Sequence, residues 1–353
     1  MRILHIIDSL EIGGAERLLV SVVNGMEGHE HHVISISSKT ALASALKPEI
    51  KLTTLGFTGK ADIFRCLLQV RRYIRQYDIE VVHAHLVMAG VIARMATPRS
   101  VPLFTTLHNL NTNRVFAQGN IWQKWLERLT YRKRHRVIAV SAAVLADYDQ
   151  VIGVKGEARV LYNFVEDRFF AAQPKKWVNK NRLRLVAVGS FKPQKNFPYL
   201  IKAMETLPAE VELDIYGGGS QQQELTDLIA HTQARVLLKG VHGNIHELLP
   251  QYDLFVMSSL FEGHPVALLE AMAAGLPALL SDIPVLKEVT GNQGIHFDLS
   301  DPSFFRDKIK RILNGEIDLD RNAAYNWDFA QRTGRKDSYM KKLEQLYQEA
   351  VHK

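Results

Sequence analysis

The sequence predicts an α/β protein built from two doubly wound units in tandem. Three observations carry this. The chain has 353 residues, which suggests two domains at about 100–200 residues each. Short apolar runs recur along it, continuous rather than alternating and separated by segments of helical period. That is the pattern of a parallel sheet covered on both faces. The pattern then restarts near residue 183, after a Lys/Asn-rich stretch containing Pro174 that has no apolar period.

In the first half the predicted strands are 3–7, 33–37, 52–55, 81–85, 103–107, 137–140 and 160–162, with helical segments such as 15–24 and 63–76 between them. In the second half they are 183–189, 211–216, 236–239, 254–257 and 277–280, with helical segments at 199–206, 222–232, 245–249 and 267–274. Residues 338–350 read as a charged amphipathic helix. The expected organisation is a domain over 1–170, a linker at 171–182, a second domain over 183–330, and a C-terminal helix in 331–353 packing back on the first domain. Such units bind ligands beyond the carboxyl ends of their strands, and two in tandem are expected to face each other across a cleft.

Composition is ordinary for a globular protein, with 46% hydrophobic and 23% charged residues. A single cysteine, Cys66, excludes an internal disulfide and a Cys-cluster metal site, which fits a reducing cytoplasm. No run of about 18 apolar residues occurs, and Asp8 stops the first apolar run too early for a signal peptide. The net charge of +7 is uneven: residues 1–180 hold 25 Lys and Arg against 15 Asp and Glu, and residues 181–353 hold 19 against 22. One half is therefore expected to meet something anionic.

The motifs follow strands. Gly13-Gly14-Ala15-Glu16 succeeds the first strand and opens a helix, where glycines admit close backbone approach and the helix start favours an anion. Its spacing is not that of the dinucleotide fingerprint, and a simple tight turn explains it equally well. His108-Asn109 follows the strand at 103–107. His83 and His85 lie two apart on one strand and so share a face. In Gly189-Ser190-Phe191-Lys192-Pro193-Gln194-Lys195-Asn196, Lys192 and Lys195 could reach phosphates or form a solvated basic loop. Tyr216-Gly217-Gly218-Gly219 could wrap a nucleotide or turn the chain. The strongest signal is Phe261-Glu262-Gly263-His264-Pro265-Val266-Ala267-Leu268-Leu269-Glu270, which ends in Ala-Met-Ala-Ala-Gly-Leu-Pro. Glu262 precedes a helix start whose N–H groups suit a diphosphate. Glu270 lies inside that apolar helix, where a charge needs a partner. Two carboxylates flanking an anion hole suit a diphosphate with hydroxyl-rich ends.

With these motifs in this order, the chain resembles the GT-B retaining nucleotide-sugar glycosyltransferases of family 4 (glycosyl transferases group 1). The resemblance implies a GT-B fold and transfer of a sugar, most readily from a UDP-sugar, to a glycan or lipid-linked glycan in surface polysaccharide synthesis of the bacterial type. It implies that His108, Glu262 and Lys195 serve catalysis. Gly14, Ser190, Lys192, Gly217, Gly263, His264, Pro265, Val266 and Glu270 would hold the donor. Gly13, Glu16, His85 and Asn109 would meet the acceptor. Two departures bear on this: Ser190 stands where many members carry Arg, removing a bidentate phosphate donor, and Asn109 stands where an acidic residue is common. No metal or other cofactor is expected, and Asp147-Tyr148-Asp149 and Asp318-Leu319-Asp320 read as solvated surface. The alternatives are a GT-B nucleotide-sugar epimerase and a non-enzymatic nucleotide-sugar binding protein.

In the basic half, Trp122, Trp125, Leu126 and Leu129 fall at helical spacing beside Lys124, Arg128 and Arg132. This segment either packs on its own sheet or meets the anionic lipid headgroups of a membrane surface or a lipid-diphosphate acceptor, with Arg71, Arg72 and Arg75 extending the patch. Nucleic acid is not expected, since no binding motif for it occurs. The expected location is cytoplasmic, peripheral on the inner face of the membrane.

Overall fold

The computed structural model describes residues 1–110, 121–177 and 182–352. The chain divides into two compact units, Met1–Asn163 with Asp337–Lys353, and Phe164–Lys336.

The first unit runs β1 (Arg2–Ile7), α1 (Gly14–Gly25), β2 (Glu30–Ser35), β3 (Lys51–Thr54), α2 (Ile63–Gln76), β4 (Val81–His85), α3 (Val87–Ala96), β5 (Leu103–Leu107), α4 (Ile121–Thr130), β6 (Arg136–Ala139), α5 (Ala142–Val151) and β7 (Ala158–Val160). Its strands form one parallel sheet in the order β3-β2-β1-β4-β5-β6-β7. Both faces are covered, which is why the strands read as continuous apolar runs. Leu4 and Ile6 of β1 pack on one face with Cys66 and Val70 of α2 and Ala89 and Ile92 of α3. Ile7 packs on the other with Leu19, Val20 and Val23 of α1.

The second unit runs β8 (Leu183–Val188), α6 (Phe197–Met204), β9 (Val211–Tyr216), α7 (Gln222–Ala230), β10 (Val236–Gly240), α8 (Ile245–Leu248), β11 (Leu254–Met257), α9 (Val266–Ala273), β12 (Ala278–Ser281), α10 (Pro284–Val289), β13 (Ile295–Phe297), α11 (Pro302–Leu313) and α12 (Leu319–Thr333). Its sheet is again parallel, in the order β10-β9-β8-β11-β12-β13. The last helix, α13 (Lys336–Val351), starts at the final residue of the second unit and otherwise belongs to the first. It buries Leu343, Tyr347 and Ala350. No helix among the described residues is long and apolar enough to cross a membrane.

The structure corrects several boundaries. The edge strand β13 is absent from the sequence-based strands; its three residues are too few for a periodic signal. The strand expected at 160–162 lies at Ala158–Val160. The chain enters the second unit at Phe164, ahead of the expected linker at 171–182. Phe164 and Val165 are buried, and the Val165 N–H donates to the Gly334 carbonyl at 2.9 Å. Part of that linker, 178–181, lies outside the described residues. The helix read around Trp122–Arg136 ends at Thr130, and Tyr131 after it is fully buried.

Candidate active site

In the second unit, two loops at the carboxyl end of the sheet meet. The Ser258 hydroxyl, just past β11, donates to the Lys195 and Asn196 carbonyls at 2.9 and 3.0 Å. The Leu260 N–H donates to the Gln194 carbonyl at 2.9 Å. These bonds seat Lys195 against Glu262, whose Oε1 accepts from Nζ at 2.6 Å. The two side chains are only 14% and 7% exposed. Gln194 adds a 2.9 Å bond from its amide to the Phe261 carbonyl. A Cβ at Gly189 would lie 3.1 Å from Lys195 Cε, so the glycine makes room for the lysine stem. Lys195 and Glu262 are 67 positions apart, and the topology makes them an ion pair.

Immediately beyond Glu262, the buried stretch Gly263-His264-Pro265 enters α9. Burial pushes the His264 pKa down to about 3, so its ring is neutral. The first backbone bond of α9 runs from the Leu268 N–H to the Pro265 carbonyl at 3.2 Å, leaving the Val266 and Ala267 N–H groups ahead of it at the positive end of the helix. Glu270 is half-buried one turn further on. Ser190 is half-buried in the same loop as Lys195, and Lys192 is exposed. Gly217 serves packing: with φ +151°, a Cβ there would overlap the Gly189 carbonyl oxygen. The Phe191 N–H also bonds the Gly218 carbonyl at 2.9 Å. The glycine loop therefore lies directly on the 189–191 loop.

In the first unit, Gly13 and Gly14 open α1. The Glu16 carboxylate folds back over Gly13, while a Cβ at Gly14 would meet nothing within 4 Å. Asp8, which sequence reasoning used only as the stop of the first apolar run, lies immediately past β1. Its Oδ1 accepts from the Ala89 N–H at 2.7 Å, and burial raises its pKa to about 7 against the bonds from Ala89 and Met88. Leu86, next to this cap, sits at φ +72°, a strained position for a non-glycine residue. His108 is half-buried just past β5, and burial lowers its pKa to about 4. Asn109 Oδ1 accepts from the Leu110 N–H at 2.8 Å, which turns its side chain onto its own backbone. His85, expected to meet an acceptor, is instead interior. It is 6% exposed, and its nitrogens are engaged by His5 and His108.

One group of side chains among the described residues has metal-ligating geometry: ring nitrogens of His5, His83 and His85 lie within 4.8 Å of one another. All three rings are already engaged in hydrogen bonds. Asp318 caps α12 through the Arg321 N–H, and Asp320 accepts from the Trp177 N–H. Both aspartates therefore accept from backbone N–H groups, Asp318 within its own helix start and Asp320 from a residue distant in sequence.

Two family models match in succession, Glycosyltransferase Family 4 over residues 12–169 and Glycosyl transferases group 1 over residues 169–327. The chain is 26% identical over 285 residues to the UDP-Gal:alpha-D-GlcNAc-diphosphoundecaprenol alpha-1,3-galactosyltransferase of Escherichia coli, covering 72% of this chain and 71% of that protein. It is 24% identical to the N-acetyl-alpha-D-glucosaminyl L-malate synthase of Bacillus anthracis, over 69% and 68% of the two chains. The fold matches that of Anabaena HepE, solved in complex with UDP, with a TM-score of 0.84 at 18% identity over 99% of this chain and all of that one. The architecture is the GT-B fold, and the chain belongs to the group 1, family 4 glycosyltransferases.

Proposed function

We propose that this enzyme transfers a sugar from a UDP-sugar to a glycan or lipid-linked glycan, with retention of the anomeric configuration and without a metal ion. The observation that carries the reading is the Lys195–Glu262 pair at the entrance to α9. A buried lysine held by a carboxylate, beside a helix start, is suited to take up negative charge as a diphosphate leaves. Glu270 would accept from the ribose hydroxyls, and the backbone of Gly263, His264, Pro265 and Val266 would hold the diphosphate and sugar. The acceptor hydroxyl would attack the anomeric carbon on the face that the diphosphate leaves. The bond to the diphosphate oxygen breaks as the new glycosidic bond forms, and the hydroxyl proton passes to the departing diphosphate. Catalysis is then positioning and leaving-group stabilisation. His108 would face the sugar and Gly14 would hold the donor, with Gly13, Glu16 and Asn109 on the acceptor side.

The E. coli relative acts on a sugar linked to diphosphoundecaprenol, which favours an acceptor carried on lipid. The surface of the first unit suits that acceptor. The unit holds 24 Lys and Arg against 16 Asp and Glu. Phe64 and Leu68 on α2 and Trp125 and Leu129 on α4 are exposed, Phe64 by 70% and Trp125 by 66%. Arg71, Arg72 and Arg75 extend the face of α2. Exposed apolar side chains among cations fit an anionic lipid surface and would place the enzyme at the inner face of the membrane.

A thermal-shift comparison of UDP, GDP and ADP tests the donor. UDP at a hundred times its Kd should stabilise the protein by about 2.7 kcal/mol, and Lys195→Ala should abolish most of the shift. Equal shifts with all three nucleotides, or a UDP shift indifferent to both Lys195→Ala and Glu270→Gln, would refute the assignment.

A further inference from the structure

Four histidines lie diagonally across the first sheet, one from each of four adjacent strands. His31 is in β2, His5 in β1, His85 in β4 and His108 immediately past β5. In the pairing register, Ile3 opposes His31, His83 opposes His5 and Thr106 opposes His85. Each histidine of the series is two residues beyond the partner of the one before it. Steps of two keep the side chains on one face of the sheet while moving them from its amino to its carboxyl edge.

The rings bond in sequence. His31 Nε2 faces the Met26 carbonyl at 3.0 Å. His5 Nε2 faces His31 Nδ1 at 3.3 Å. His85 Nε2 faces His5 Nδ1 at 3.4 Å, and His108 Nε2 faces His85 Nδ1 at 3.1 Å. A carbonyl only accepts, so His31 carries its proton on Nε2. Burial holds all four rings below their ordinary pKa, and hence neutral. A neutral ring has one donor and one acceptor nitrogen. His31 Nδ1 therefore accepts, which places the His5 proton on Nε2; the same step fixes His85 and then His108. The Met26 carbonyl thus sets all four tautomers, with every N–H pointing toward the amino edge of the sheet. The chain ends on His108 Nδ1, left as a lone pair that takes no hydrogen bond from the described residues.

We propose that His31, His5 and His85 are positioning residues that fix His108 as a hydrogen-bond acceptor, so that its Nδ1 receives a sugar hydroxyl rather than donating to one. The series also polarises His108, since each ring donates to the next and aligned bonds strengthen one another. His83 lies outside it, bonded to Tyr347 and Thr106 at 2.5 and 2.6 Å. This inference rests on reading His108 as facing the sugar.

The test combines NMR and kinetics. In the wild-type protein with 15N-labelled histidine, long-range proton–nitrogen correlations should show Nε2–H and a bare Nδ1 on all four rings. His5→Leu interrupts the series, and His5→Gln keeps one donor and one acceptor. UDP release from UDP-glucose, UDP-galactose and UDP-N-acetylglucosamine is then measured with whichever the wild type turns over. His5→Leu should lower kcat about tenfold, as loss of an outer hydrogen-bond partner does elsewhere. UDP affinity should hold, and His5→Gln should recover most of the loss. An Nδ1–H on any of the four rings overturns the proposal even where His5→Leu does not fold. So does a folded His5→Leu protein with unchanged kcat, or stoichiometric Zn2+ binding at His5, His83 and His85 in the protein as isolated. If instead His108→Ala leaves UDP release unaltered, the reading of His108 as sugar-facing has failed, while the tautomers seen by NMR stand as structure.

Discussion

A Cβ added at Gly217 would fall inside the Gly189 carbonyl oxygen and against the Phe191 ring, whereas one added at Gly14 would meet open space. These two glycines, similar in sequence context, therefore carry opposite expectations. Gly217→Ala should cost about 2–3 kcal/mol through overlap and an unfavourable φ. Gly14→Ala should keep or slightly raise stability, since alanine is the better helix former by about 0.5–1 kcal/mol. If the backbone at Gly14 is where the ligand approaches, the same substitution should cut turnover by about a hundredfold. Melting curves and kinetics on the pair separate the roles, and a fully active Gly14→Ala protein removes Gly14 from the site. Glu127 poses a different question. It is 1% exposed and bonded to Arg94, whose guanidinium also reaches the Tyr148 hydroxyl at 3.4 Å. Glu127→Ala leaves that cation buried and uncompensated, and denaturant titration should show a loss of about 3–5 kcal/mol. A loss below 1 kcal/mol would mean that water reaches Arg94.

At the scale of elements, α13 secures the first unit. The Tyr347 ring stacks edge-on against Phe104 with centroids 5.2 Å apart, and its hydroxyl bonds His83. Tyr347→Phe should cost about 1–3 kcal/mol by leaving the buried His83 nitrogen without its partner. Tyr347→Ala should cost about 3–5 kcal/mol by adding a cavity. Equal losses in denaturant melts would assign the whole effect to the bond and none to volume. What could be read from sequence depended on how local each signal is. Both sheets were legible because buried parallel strands are continuous apolar runs. The helix α3 was not, since Met88, Ala89, Gly90, Val91, Ile92 and Ala93 are all buried and give no polar face to mark a helical period. The Glu262–Glu270 block was legible as a single local motif. Its ion pair with Lys195 was not, because a separation of 67 residues is closed only by the order of strands. The diagonal histidine series needed the pairing register as well: His5, His31, His85 and His108 have no common spacing in the chain.

Across the whole molecule, the buried histidines make the two units unequal in acid. In the first, burial lowers the pKa values of His5, His83 and His85 well below 6.5, of His31 and His108 to about 4, and of His135 to about 3. In the second, only His264 and His296 are lowered among the described residues. An unfolded histidine takes up its proton near 6.5. Between that pH and the folded pKa, the unfolded state binds more protons, so each such group stabilises the fold above about 6.5 and loses that contribution as the pH falls toward 4. The slope is up to about 1.4 kcal/mol per pH unit for each group. Asp8 acts with the opposite sign. Its folded pKa is raised to about 7, so its contribution is complete below about 4 and is lost as the pH rises through 7, which offsets one histidine. The first unit therefore keeps a net excess of several groups that favour unfolding on mild acidification. Hydrogen exchange at pH 7.5 and 5.5 should show β1, β4 and β5 losing protection at the lower pH while β8, β9 and β11 retain theirs. His135→Phe should flatten the response of the first unit by removing one group without touching the series that ends at His108. Loss of protection in both units together, or only below about pH 4 where carboxylates titrate, would show that the buried histidines do not govern the acid limit.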